Sequence, residues 1–144
     1  IHPNCTWIMG YPGETLEDLK ISVAFILWQQ EFWSSFYPAG SPEHANALEA
    51  VNRKMFTATA YPGTEMWKVV RADLKKHFNI TFDADGEPVC DENFHQYVLE
   101  LDDATKVLTS LTGTDVNYGA MPIDIFLSTR EHIDNNQIEK ILEM

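Results

Sequence analysis

Two short apolar runs, each closed by Tyr-Pro-Gly and each followed by a helical pattern, organise the first half of the chain. Cys5-Thr6-Trp7-Ile8-Met9 predicts a short buried strand. Gly10-Tyr11-Pro12-Gly13 stops it as a tight turn. Thr15 is a good N-cap, and Asp18 stands where a capping box places its acid. Leu16, Leu19, Val23, Ile26, Leu27 and Trp33 then recur at helical spacing, so an amphipathic helix is expected. Residues 34–42, rich in Ser, Gly, Pro and aromatics, predict a loop, and 43–51 a short helix. Residues 53–60 predict a second strand, again stopped by Tyr61-Pro62-Gly63. Thr64 caps the next helix, whose inner face carries Met66, Val70 and Leu74.

The pattern is a weak internal repeat with copies about 50 residues apart. Strand followed closely by helix, twice, predicts parallel βα units with their strand C-termini on one edge. That edge is where α/β proteins place ligands. The last third reads differently. Residues 79–93 predict an acidic loop or hairpin turning at Asp85-Gly86. Residues 94–101 are apolar and fit strand or helix. Asp102 or Asp103 caps a short helix running to Leu111, and 112–122 is loop. Ser128-Thr129-Arg130-Glu131 reads as a capping box opening a final helix with Ile138, Ile141 and Leu142.

Composition narrows the class. A length of 144 residues suits one domain, and 12% aromatic content favours a packed core. The formal net charge of −12 repels phosphate backbones, so no nucleic-acid partner is expected. No apolar run reaches the ~20 residues of a membrane span, so no membrane partner is expected either. Cys5 and Cys90 form no paired-cysteine spacing and read as two reduced thiols of a cytoplasmic protein. The chain opens on Ile1 rather than Met, and a piece of a longer protein is expected.

The stretch from Trp7 to Thr15 carries most of the chemistry. Its glycines let backbone approach a ligand, and the N–H groups opening the helix suit polar or anionic groups. On physics alone the same residues also make a plain βα connection. The run Gly10-Tyr11-Pro12-Gly13-Glu14-Thr15, with Leu16-Glu17-Asp18 after it, resembles the G-[FYL]-P-G-E-T-x-E-[DE] segment of radical S-adenosylmethionine (SAM) enzymes. Thr59 to Trp67 resembles the P-x-P-G-T-x-[LM] segment that follows in that superfamily, in the same order. Residues 1–77 carry most of the likeness. Residues from Glu100 to Ala104 and the C-terminal helix are similar, more loosely, to the tails of cobalamin-associated members.

The resemblance implies an α/β fold: a partial (β/α) barrel segment with two parallel βα units in residues 1–78 and a mainly helical C-terminal extension in residues 79–144. It implies that Ile8, Gly10, Tyr11, Pro12 and Gly13 lie against the adenosyl part of SAM. It implies SAM and a [4Fe–4S] cluster as cofactors of the intact enzyme, with cobalamin as a further option. The CxxxCxxC motif that holds such a cluster is not in this sequence. The chain is therefore expected to be a C-terminal piece, inactive by itself, whose first partner is the N-terminal part of the same enzyme. Unpaired strand edges also suggest a homo-oligomer. No catalytic residue and no metal ligand is assigned, and the substrate and reaction stay open.

Other chemistry is thin. His2, His44, His77, His95 and His132 show no HxH or HExxH spacing. Asp83 to Glu92 is an acidic run with D-x-D-G but no complete calcium loop. Trp7, Trp28, Trp33 and Trp67 are expected in cores rather than on a binding platform. The alternative function is a non-catalytic α/β binding or interaction domain. A stand-alone enzyme with a non-radical mechanism would need a nucleophile–base pair that the sequence does not display.

Overall fold

The computed structural model describes residues 5–61, 63–101 and 118–144. Helices and a small two-stranded parallel sheet give it a mixed α/β character. The chain divides into two compact units. The first holds the described residues of Ile1–Met9, with Glu14–Phe56 and Met121–Met144; the second holds Gly10–Gly13 and the described residues of Thr57–Ala120.

In the first unit, strand β1 (Trp7–Met9) pairs with β2 (Met55–Thr57), whose first two residues belong to the same unit. Met9 and Met55 point inward while Ile8 and Phe56 stay exposed, the alternation expected of strands with one buried face. Side chains tie the approaches to the two strands together. Trp7 Nε1 donates to the Asn52 carbonyl at 3.1 Å, and Asn52 Nδ2 donates to the Cys5 carbonyl at 3.2 Å. Asn52 Oδ1 also accepts from Lys54 N at 3.0 Å, turning the chain into β2. The second strand is thus shorter than residues 53–60: the Asn52 side chain turns residues 53–54 before it, and residues 58–60 lie beyond its end.

Helix α1 (Leu16–Ser34) opens on the predicted capping box. Thr15 Oγ1 accepts from Asp18 N at 3.3 Å, and the Asp18 carboxylate accepts from Thr15 N at 2.9 Å. Leu19, Val23 and Ile26 are buried, with Leu16 and Leu27 half-buried beside them. Helix α2 (Pro42–Glu49) starts with proline in its first turn and Ser41 as N-cap, its Oγ accepting from His44 N at 3.1 Å. Proline at that place gives up an N–H that had no helical partner, which is why the helix begins at Pro42 and not after it.

The C-terminal segment corrects the sequence reading. Ser128-Thr129-Arg130-Glu131 does not open a helix; it lies inside α6, which runs over Ile123–Asp134 behind Pro122. Phe126 and Ile133 are buried there with Thr129 between them, so the apolar face decides the start and overrides the local cap chemistry. Thr129 Oγ1 donates back to the Phe126 carbonyl at 2.7 Å, which satisfies a hydroxyl that the core would otherwise strand. Helix α6 ends where Asn136 adopts φ 57°, with Gln137 N bonded to the His132 carbonyl at 2.7 Å and Asn136 N to that of Ile133 at 3.0 Å. Ile138, Ile141 and Leu142 therefore fall on a separate 3₁₀ helix, Ile138–Glu143. Ile138 and Ile141 close the first core with Met9, Leu19, Met55 and Phe126. Arg53 pairs with Glu139 across the same region.

In the second unit, the helix after Tyr61 breaks at Val70 into α3 (Glu65–Val69) and α4 (Arg71–Phe78). The predicted inner face of Met66, Val70 and Leu74 is buried in both. Asn79 ends α4 in the left-handed region at φ 54°, a role asparagine shares with glycine. The predicted hairpin follows. Phe82 and Pro88 form an antiparallel bridge, and Gly86 takes φ 80° at the turn. The Asp83 carboxylate accepts from the backbone N–H of Asp85 at 3.0 Å and of Glu87 at 2.9 Å. The open choice for residues 94–101 resolves as helix α5 (Glu92–Leu101), opened by Asp91, whose carboxylate accepts from Phe94 N at 3.0 Å. The core joins Trp67, Leu74, Phe78, Ile80, Tyr97 and Tyr118. The helix expected from Asp102 or Asp103 to Leu111, and most of the loop expected at 112–122, lie outside the described residues.

Candidate functional site

Each of the two βα turns is built from the strand outward. At the first, Met9 anchors the strand end in the core and Gly10 follows, also buried, at φ 77°. A side chain at that φ is strained, so glycine is required for the chain to leave the strand in this direction. Tyr11 is 57% exposed, Pro12 half-buried, and Gly13 exposed at φ 86°. A Cβ placed on Gly13 would meet nothing within 4 Å, so open space lies beside the backbone there. Ile8, one residue before the strand end, is 56% exposed.

The second turn repeats the build. Ala58 and Ala60 are buried, Tyr61 is exposed, and Gly63 takes φ 83°, with nothing within 4 Å of an added Cβ. Thr64 then caps α3: its Oγ1 accepts from Trp67 N at 3.2 Å and donates to the Tyr61 carbonyl at 2.7 Å. The Tyr97 hydroxyl donates to the Ala60 carbonyl from inside the core. Burial pushes the Tyr97 phenol well above its ordinary range, and Tyr118 and Tyr61 add to the shift. The Tyr118 phenol is raised mainly by burial too, with the Asp73 carboxylate adding to it. Both tyrosines are thus neutral rather than acids or bases near neutral pH, and Tyr97 is the one whose hydroxyl bonds to the turn. Sequence reasoning missed Tyr97; its only signal was a tyrosine on the apolar face of residues 94–101.

Ile8, Gly10, Tyr11, Pro12 and Gly13 are consecutive or nearly so in sequence: Ile8 and Tyr11 are exposed, Pro12 is half-buried, Gly10 is buried, and open space lies beside Gly13. The set is not a closed pocket. A cleft of about 530 Å³ in the first unit is lined by Gln30, Asn52, Arg53 and Asn136 among others. A cleft of about 600 Å³ in the second is lined by Lys68, Arg71, Phe82 and Gly86 among others. Neither draws on the turn residues.

A [4Fe–4S] cluster held by three thiolates does not fit this chain, which has two cysteines in all, Cys5 half-buried and Cys90 exposed. Among the described residues no group of three or more His, Cys, Asp or Glu is placed to hold a metal ion. Among them, too, no helix is long and apolar enough to cross a membrane. The tryptophans divide: Trp67 is buried, Trp7 and Trp33 are half-buried, and Trp28 is 52% exposed, outside the core expected for it. No protein-family model matches the chain, and neither a curated protein nor a solved structure matches it.

Proposed function

We propose that this chain supplies part of the SAM-facing wall and the C-terminal cap of a radical SAM iron–sulfur enzyme, its two βα units taking the last positions of a partial barrel. The observation that supports the reading is the doubled turn. Neighbouring parallel strands are each followed within four residues by a Tyr-Pro-Gly sequence, Gly13 and Gly63 take a positive φ near 85°, and a threonine-capped helix comes after each.

In this reading Ile8 and Tyr11 give apolar and aromatic surface to the adenine, Gly10 turns the chain out of the strand, and Gly13 keeps side chains clear of the ribose. Pro12 fixes the turn between them. Any cluster would, in this reading, be held by the N-terminal part of the same enzyme, where it would supply reducing chemistry to SAM, and none of this chain's residues would ligate it. This chain's own share is to bind and orient SAM, and the chain by itself is inactive. The test is the coding sequence upstream of Ile1. A CxxxCxxC motif roughly 100–200 residues before it, about a domain's length, is the expected result. An in-frame start immediately before Ile1 with no such motif overturns the proposal.

A second reading, a non-catalytic interaction domain, is favoured by the exposed aromatic face of α1. Binding of SAM to the longer polypeptide, weakened by Gly13→Val, separates the two: an interaction domain binds no SAM in either form.

A further inference from the structure

Helix α1 is apolar on two opposite sides. At ~3.6 residues per turn, Leu19, Val23 and Ile26 fall on one side and Ile21, Phe25, Trp28 and Phe32 on the other. The first set is buried in the core of its unit; the second is exposed, at 67%, 47%, 52% and 47%. Phe36, just past the helix, continues the line at 62%. The rings are stacked in register. Phe25 and Trp28 lie 5.5 Å apart at 16°, Trp28 and Phe32 5.3 Å apart at 20°, and Phe36 meets Phe32 edge-on at 5.2 Å. A surface helix needs one apolar stripe toward its core, and α1 leaves a second one exposed.

We propose that this face is a self-association surface, on which a second copy of the chain packs its own α1 antiparallel about a two-fold axis at Trp28. Three observations favour a second copy as the occupant. The first is spacing. About an axis at Trp28, Phe25 of one copy faces Phe32 of the other, and Ile21 faces Phe36, so the stripe complements itself as an isologous contact must.

The second is area. With roughly 150–250 Å² per aromatic side chain, the stripe leaves roughly 550 Å² exposed. That is at the upper end of the largest patch on ordinary monomers. Two copies would bury about 1,100 Å² together, just past the ~1,000 Å² a specific interface needs.

The third is charge. The chain has 22 acids in 144 residues, so about two would fall among residues 21–36 by chance, yet the stripe's length holds one, Glu31. An acid-poor face reduces like-charge repulsion where two copies of a −12 chain would touch. A basic partner would gain from acids on the face, and a basic partner is therefore not what the face selects. The surface also differs from the strand edges, and its test reads mass alone, so it stands or falls apart from any role in binding SAM.

Sedimentation of the full chain from about 1 μM to about 1 mM tests the proposal. The expected result is a monomer–dimer equilibrium with midpoint in the micromolar range that tightens as salt screens the net charge. Trp28→Lys, which sets two ammonium groups at the axis, and Phe32→Ser each weaken it at least ~10-fold, while Val69→Lys in the second unit leaves it unchanged. Circular dichroism confirms that the variants stay folded. A monomer throughout, a dimer indifferent to both α1 variants, or equal loss with Val69→Lys overturns the proposal. So does association that weakens with salt, which marks a charge-driven contact instead.

Discussion

At the scale of single residues, the caps carry the most testable chemistry. The Asp18 carboxyl is held below its ordinary range, first by the Thr15 hydroxyl and then by the Thr15 N–H. A carboxyl whose folded value is depressed stabilises the protein above its unfolded value near 4 and loses that contribution as pH falls through the folded value. Denaturation midpoints followed downward from about pH 5 should therefore fall more steeply for the parent than for Asp18→Asn. Equal slopes would remove the capping box from the stability of α1. Thr64 offers the companion case without a titrating partner. Thr64→Ala removes one bond to Trp67 N and one to the Tyr61 carbonyl, and should cost about 1 kcal/mol in urea denaturation. Gly13→Ala has free space and still costs on the order of 1 kcal/mol, because the penalty lies in φ 86° and not in a clash. Gly13→Asn should cost less, since asparagine tolerates that region better.

At the scale of elements, the second unit depends on neutral buried tyrosines. A phenol whose folded value is raised keeps its contribution below its unfolded value near 10, and loses it as pH climbs toward the folded value. Tyr97 and Tyr118 should therefore resist ionisation until the unit opens, so above about pH 10 part of the tyrosinate absorbance, beyond that of the exposed Tyr11, Tyr37 and Tyr61, should appear only together with loss of structure. Tyr97→Phe strands the Ala60 carbonyl and should cost about 1–2 kcal/mol at neutral pH, while making the alkaline loss of stability shallower because one proton-linked group is gone. The caps and inner faces of α1 and α3 were legible in the sequence because threonine, glycine and the apolar period all agree there. Residues 128–131 were misread because a capping box is a purely local signal, and burial of Phe126 and Ile133 outweighs it. The choice at 94–101 was open because an apolar run fits both periods, and only Asp91, three residues before Phe94, pointed to helix. The two turns could be located, but not which of their side chains face outward, because exposure is set by packing partners distant in sequence. Trp28 shows the same limit. Its spacing belongs to a helix, but nothing local says which side of a two-sided apolar helix meets the core.

At the scale of the whole molecule, charge sets a condition on everything above. With 22 acids against 10 bases, an excess of 12 negative charges stays uncompensated however the surface is arranged. The ion pairs that do form are few-ångström contacts on the surface, such as Lys68 with Glu65 at 2.7 Å, and such pairs contribute at most about 1 kcal/mol. Summed repulsion among the remaining acids acts over longer distances and opposes the compact state. Salt affects both, but not equally. Raising ionic strength from about 0.01 M to about 0.15 M shortens the screening length from ~30 Å to ~8 Å, which removes long-range repulsion while leaving contacts inside ~4 Å largely intact. The thermal midpoint should therefore rise over that interval, measured at a concentration low enough to keep the chain monomeric. A fall would mean that the surface pairs outweigh the net charge. Lowering the pH toward the isoelectric point near 4.6 should act in the same direction on repulsion. It also removes the colloidal protection that net charge gives, so the aromatic face of α1 should then drive association well before the fold is lost. Trp28→Lys should delay that onset. If it does not, low-pH association runs through another surface, and the self-complementary face of α1 is not the first contact to form.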